Sequence, residues 1–344
     1  MSPYLTIVAA SRNDMHGGNI LKRMRMFVNG LIAQCNRHDL PVELLIVEWN
    51  PPRERPPLNE VLPQPAKTDK LTLRYVQVPQ EIHNRYKRAS DIPLFQMIAK
   101  NVGIRRAKGE FVLCTNVDVL FSDELFEVLK KKDLRKDTFY RANRCDVPDG
   151  MEESWDIEKQ LQWCSKNIIK TLGRDTRFRN INLDHFGLSG KAWFKKWVFD
   201  KLAIGFKMFW PPEKREYYLL DSFACGDFTL MSKEAWLDIQ GYVELDLYSI
   251  HIDTLGLIGA AALGYRQFVF PRKACLYHVD HPLGWETMGP YEKMRFLVER
   301  PGIDYGLVFD TGMHALKERQ RFNMNKENWG FADIPLEEVV YPKF

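Results

Sequence analysis

The sequence predicts an α/β fold, with a mixed, mostly parallel sheet flanked by helices. Three observations lead there. Short runs that read as strands alternate with helix-periodic segments, the order expected where much of the pairing is parallel. Val42 to Trp49 and Glu110 to Thr115 read as buried strands, and Tyr4 to Ala10 is a compact β-rich run. Polar residues gather just beyond these runs, at the carboxyl ends where open α/β sheets bind ligands.

The elements follow in order. Tyr4 to Ala10 runs into Ser11-Arg12-Asn13-Asp14, as the first strand of a nucleotide-binding sheet often does. Asn19 to Cys35 is a helix, with Ile20, Met24, Phe27, Val28, Leu31 and Ile32 at helical spacing. Val42 to Trp49 is stopped by Asn50-Pro51-Pro52. Residues 51–70 are Pro-rich and read as a surface loop; Leu71 to Val78 is a third strand. From Gln96 the chain is helical, with Ile98, Val102 and Ile104 near one face and Lys108-Gly109 as the stop. Glu110 to Thr115 then leads to Asn116-Val117-Asp118. A carboxylate flanked by an amide at such a strand tip suits a hard divalent cation bound to phosphate oxygens.

The second half is less regular. Phe139 to Ala142 reads as a strand, Met151 to Leu172 as a helix, and Leu219 to Met231 as containing a strand before the helix Lys233 to Asp238. Ile252 to Leu263 is an Ala/Gly/Leu helix ended by Gly264, and Arg266 to Pro271 and Ala274 to His278 are two further strands. The remaining residues mix helix and loop.

Composition narrows the function classes. Apolar content of 45% with 27% charged residues is that of an ordinary globular chain. A net charge of +4 is too small to argue for nucleic acid. Basic clusters such as Arg85-Tyr86-Lys87-Arg88 read as solvated faces, or as attractants for phosphates or an anionic membrane surface. None of the six cysteines forms a C-x-x-C pair, which argues against zinc; buried, reduced thiols point to a reducing compartment. The amino terminus lacks a signal-peptide pattern and no window of 18 apolar residues exists, so the expected location is cytoplasmic, with peripheral membrane contact as a variant.

Ala99-Lys100-Asn101-Val102-Gly103, then Ala107, Gly109, Glu110 and Phe111, keep the spacing of a run A-R-N-x-G-x-x-x-A-x-G-E-[YF] that precedes a strand ending in Asp-x-Asp. On these residues the chain resembles the nucleotide-sugar glycosyltransferases of the GT-A fold, especially family 2. Lys100 departs from the usual Arg, and Asn116 replaces the first Asp, leaving Asp118 as the carboxylate. The resemblance implies a GT-A (Rossmann-like) catalytic domain over 1–282, with a nucleotide-binding half in 1–130, an acceptor half in 131–282 and a C-terminal extension over 283–344.

It also implies roles. Ala10, Ser11, Arg12, Asn13, Glu48, Lys100, Asn116, Val117 and Asp118 are expected to bind the nucleotide-sugar. Trp49 replaces a second acid after Glu48 and reads either as a base-stacking ring or as packing. Gly241-Tyr242-Val243-Glu244, then Asp253 to Gly264-Tyr265, matches the family turn and helix, which makes Asp253 the general base of an inverting enzyme. Asp253 also suits a helix N-cap. Ile252 stands where the family has Glu, with Glu244 and Asp246 as nearby substitutes; Asp227 is the second catalytic candidate, on a loop that borders the donor sugar. His278 and His281 are expected to complete a Mn2+ or Mg2+ shell with Asp118.

The implied activity is metal-assisted transfer of a hexosyl or N-acetylhexosaminyl group from a UDP-sugar to a hydroxyl of a carbohydrate or lipid-linked acceptor, as in polysaccharide biosynthesis. Two other readings stay open. One is a degenerate carbohydrate-binding or scaffold relative, favoured by Asn116 and Ile252. The other is a sugar nucleotidyltransferase, for which Met15-His16-Gly17-Gly18 and Lys22-Arg23 offer a weak phosphate loop. Lys191 to Pro212 reads as a core-packed segment with outward lysines, or as an acceptor-side cover exposing Trp193, Trp197 or Trp210.

Overall fold

The computed structural model describes residues 3–14, 17–175, 181–182, 209–281, 299–321 and 325–342, with 191, 194, 198 and 202 as isolated positions. Its strands are β1 (Leu5–Ser11), β2 (Val42–Trp49), β3 (Leu71–Val78), β4 (Phe111–Thr115), β5 (Val119–Phe121), β6 (Thr138–Arg141), β7 (Asn143–Val147), β8 (Lys170–Leu172), β9 (Arg174–Asp175), β10 (Ile181–Asn182), β11 (Phe228–Ser232), β12 (Arg266–Val269), β13 (Cys275–Val279) and β14 (Glu337–Tyr341). Its described helices are α1 (Ile20–Arg37), α2 (Leu58–Val61), α3 (Gln80–His83), α4 (Gln96–Arg106), α5 (Asp123–Leu129), α6 (Ile157–Lys166), α7 (Pro212–Leu219), α8 (Lys233–Asp238), α9 (Ile252–Ala262) and α10 (Tyr305–Glu318).

Eight strands form the main sheet in the order β12-β6-β11-β4-β1-β2-β3-β14. The centre is parallel: β1 pairs with β2 and β4, and β2 with β3. β11 runs antiparallel between β4 and β6, and β14 antiparallel along β3. This is the mixed, mostly parallel sheet flanked by helices that the sequence predicts for a GT-A fold. A smaller sheet, β5-β13-β7-β8, stands beside it.

The central strands are buried on both faces, so alternate residues feed different cores. Ile7 and Ala9 pack with Met24, Phe27 and Leu31 of α1, whereas Val8 packs toward the α4 side. Gly103 matters there. A side chain at that position would run into Val8, so the glycine lets α4 lie close on the sheet. Ser122 and Ser232 cap α5 and α8 by accepting the N–H groups of Leu125 and Ala235.

Two sequence readings change. Met151 to Leu172 is not one helix. α6 begins after Asp156, whose carboxylate accepts the Lys159 N–H at 2.8 Å, and ends by Asn167; Lys170–Leu172 then pairs with β7. The Pro-rich stretch 51–70 holds one helical turn, α2, and buries Leu58.

Candidate active site

Strand register gathers the candidate residues. Ser11 lies opposite Glu48, and Ala9 opposite Thr115, so three strand tips share one edge. β11 starts with Phe228 opposite Thr115 and runs the other way, which delivers Asp227 beside Asn116. In the small sheet His278 registers with Val119 on one side and Asp146 on the other. Asp118, one residue before Val119, therefore falls next to the imidazole.

Asp118, His278 and His281 each offer a ligand atom within 4.8 Å of the others. Asp118 Oδ2 is 3.2 Å from His281 Nε2 and 3.6 Å from His278 Nε2. Burial alone would raise the Asp118 carboxyl, but hydrogen bonds from the two imidazoles outweigh it and hold the group well below the usual carboxylate range. Burial likewise opposes charge on His278, yet hydrogen bonds to Asp118 and Asp146 raise it to about 9. The set fits a divalent cation. One carboxylate and two imidazoles match Mn2+ better than the oxygen-seeking Mg2+. Asp118 Oδ1 is buried without a hydrogen-bond partner among the described residues, leaving a lone pair for a ligand. Asp146 Oδ1, 3.3 Å from His278 Nδ1, can accept a hydrogen bond from Nδ1–H and leave Nε2 for metal.

A second group of polar side chains leads away from this triad. Lys100 is fully buried and donates to Asn116 Oδ1 at 2.8 Å and to the Gly226 carbonyl at 2.7 Å. Burial pushes its ammonium pKa down. Gln96 Nε2 also donates to Asn116 Oδ1, at 2.8 Å. With that oxygen accepting from two donors, the Asn116 amide N–H faces Asp227 Oδ1 and donates to it. Arg144 Nη1 donates to Asp227 Oδ2 at 2.6 Å, its Nε to Asp146 Oδ1 at 2.5 Å, and its Nη2 lies 2.9 Å from His278 Nδ1.

Asp253 is half-buried in the first turn of α9, where His251 and not Asp253 takes the N-cap position. Its Oδ2 accepts the Gly226 N–H at 2.8 Å and its Oδ1 the Thr254 N–H at 2.9 Å. Gly226 thus links Asp253 to Lys100. Burial raises the Asp253 carboxyl above its ordinary value. Both acids follow strained backbone: Ala224 and His251 are non-glycine residues at φ 47° and 68°.

Other expected residues sit at the same edge with different partners. Asn13 donates to the Pro56 carbonyl at 2.7 Å, and Ser11 Oγ to Met24 Sδ at 3.2 Å. Arg12 reaches Asp14 at 3.5 Å and the Pro93 carbonyl at 3.5 Å. Glu48 is buried. It accepts the Leu58 N–H at 3.0 Å, and burial raises its carboxyl to about 7 against that hydrogen bond. Ala10 and Val117 turn their side chains into the core.

Trp49 is a packing residue, fully buried among His83, Tyr86, Phe95 and Phe331, so it offers no face to a base. Glu244 accepts from Asn101 and from the Gly330 N–H, which ties the carboxyl-terminal segment to α4 rather than serving the cluster. Ile252 is core. Met15, His16, Trp193 and Trp197 lie outside the described residues. Trp210 packs on Tyr218 with centroids 4.9 Å apart.

Sequence reasoning missed Arg144, Asp146 and Gln96. A signal existed for the first two. Arg144 and Asp146 are two apart, so a strand at Asn143–Val147 puts both on one face.

No family model matches the chain, and no curated protein matches it. Among solved structures it is similar to the crystal structure of S. aureus TarS 1-349, at 15% sequence identity and a TM-score of 0.42, covering 92% of this chain and 71% of that one. A likeness this distant bears on neither activity nor substrate.

Proposed function

We propose that this protein is an inverting glycosyltransferase, moving a sugar from a UDP-sugar to a hydroxyl of a carbohydrate or lipid-linked acceptor. The observation that carries the reading is the convergence, at one carboxyl edge of the sheet, of the Asp118–His278–His281 triad and the half-buried carboxylate Asp253. Bonds through Gly226, Lys100, Asn116, Asp227, Arg144 and Asp146 join the two.

The chemistry needs two things. A diphosphate must leave with its negative charge offset, and an acceptor hydroxyl must lose a proton as it attacks. Asp118, His278 and His281 would hold Mn2+ or Mg2+, which supplies charge neutralisation at the diphosphate when bound. Asp253 takes the acceptor proton. The acceptor oxygen bonds to the anomeric carbon as the bond from that carbon to the phosphate oxygen breaks, so configuration inverts. Its raised pKa suits the task, since a carboxylate of higher basicity accepts a proton more readily.

Calorimetry with UDP, with and without Mn2+, tests the donor reading, and a panel of UDP-sugars assayed for hydrolysis tests turnover. We expect Mn2+-enhanced UDP binding and EDTA-sensitive hydrolysis of one sugar donor. Absence of UDP binding in either condition overturns the reading. UDP-sugar binding without hydrolysis points instead to a carbohydrate-binding relative, which the amide at Asn116 and the buried Ile252 favour.

A further inference from the structure

We propose that Asn116, Asp227 and Arg144 form a positioning chain for the Asp118–His278–His281 cluster, and that its hydrogen-bond polarity requires one amide and one acid at positions 116 and 227. The inference rests on the metal reading above and deepens it.

The argument is one of donors and acceptors. The chain begins at Lys100, whose ammonium only donates, and it ends at Arg144, whose guanidinium only donates. Side chain 116 must therefore accept at its Lys100 side, and side chain 227 must accept at its Arg144 side. Between the two, one must donate to the other. Two acids would set acceptor against acceptor. Two amides would set donor against donor, and turning either amide over only moves that conflict to Lys100 or Arg144. One amide and one acid satisfy every bond, in either order.

This accounts for Asn116 without treating it as damage to a metal site. An acid there would face the acid that β11 already delivers at Asp227. The chain also has a destination. Asp227 fixes one arm of Arg144, and the Arg144 Nε holds Asp146 Oδ1, the acceptor that faces His278 Nδ1, behind the imidazole whose Nε2 faces Asp118. Both Asp227 oxygens are thus committed, one to Asn116 and one to Arg144, and a break at 116 or 227 frees Arg144 to move. Supports of metal ligands are worth a measurable share of affinity.

The test uses Mn2+ alone, with free ion read by electron paramagnetic resonance and thermal melts run in parallel. Asn116→Asp and Asp227→Asn each break the polarity, and each should weaken Mn2+ binding by about tenfold or more. The double variant N116D/D227N re-forms every bond in reverse order and should recover most of the loss, in affinity and in melting temperature. A structural role alone predicts recovery of melting temperature without recovery of Mn2+ affinity, and that result overturns the proposal. So does Asn116→Asp binding Mn2+ more tightly than wild type, or a double variant that fails to fold. If a single variant fails to fold, the double variant decides. Wild-type protein that binds no Mn2+ overturns the metal reading and this inference with it; wild type that binds Mn2+ while the double variant does not overturns this inference alone.

Discussion

At the scale of residues, two carboxylates, Asp253 and Glu48, separate chemistry from support. Asp253 keeps partial access to solvent and a raised pKa, and it is the group placed to take a proton. Asp253→Asn should lower turnover by about two to four orders of magnitude, with donor affinity nearly unchanged. Steady-state rates beside UDP calorimetry check this, and near-normal turnover would move the base elsewhere. Glu48 behaves differently. Its folded pKa of about 7 exceeds the ordinary 4.5 because burial disfavours the charged form. Between those values the unfolded chain sheds its proton while the folded chain keeps it, so this group's contribution to stability falls as pH rises from about 4.5 to about 7 and is flat above. The full loss is on the order of 3 kcal/mol. Glu48→Gln should remove that slope from the melting temperature measured against pH. A variant that retains the wild-type slope would show that Glu48 is not its source.

At the scale of elements, the loop ahead of β11 owes its shape to one side chain. Arg141, on β6 and fully buried, donates to the carbonyls of Asp221 (3.0 Å), Phe223 (2.7 Å) and Cys225 (3.5 Å) and to Thr229 Oγ1 (3.4 Å). It faces the buried Asp221 carboxylate at 3.9 Å. Arg141→Met leaves several acceptors and a buried anion without that cation. It should cost about 3–5 kcal/mol in urea unfolding. A loss below about 1 kcal/mol would mean that the loop holds itself in place.

What could be read in advance divides along the same line. β2 and β3 were legible to the residue, because β2 is a mostly apolar run closed by Asn50-Pro51 and β3 is a β-rich run that ends at Pro79. The Asp118, His278 and His281 triad was legible as an ordered set of residue types after strands. β7 was passed over despite that two-residue spacing, because Arg144 and Asp146 look like surface residues until β13 pairs beside them. Trp49 was ambiguous for a related reason. An aromatic at a strand tip serves a ligand or a core equally well, and only the arrival of His83, Phe95 and Phe331 decides for the core.

At the scale of the whole molecule, the chain passes from the main sheet to the small one between Thr115 and Val119, with Asp118 in that step. β14 returns to the far edge beside β3, where Glu338 reaches Arg74 at 2.7 Å. The candidate triad therefore joins position 118 to positions 278 and 281, with several elements of both sheets formed by the chain in between. Its geometry exists only once those elements have folded, so a cation captured there discriminates between the ordered and disordered chain. Ligand binding and folding then become thermodynamically linked. Stability should climb by about 1.4 kcal/mol for each tenfold rise in free Mn2+ above its dissociation constant, and melts across a Mn2+ titration should show it. The rise should vanish in Asp118→Ala, and a rise that survives there would place the captured ion elsewhere. The cation would act as a clasp between distant parts of the sequence, and chelation would loosen the molecule as well as silence it.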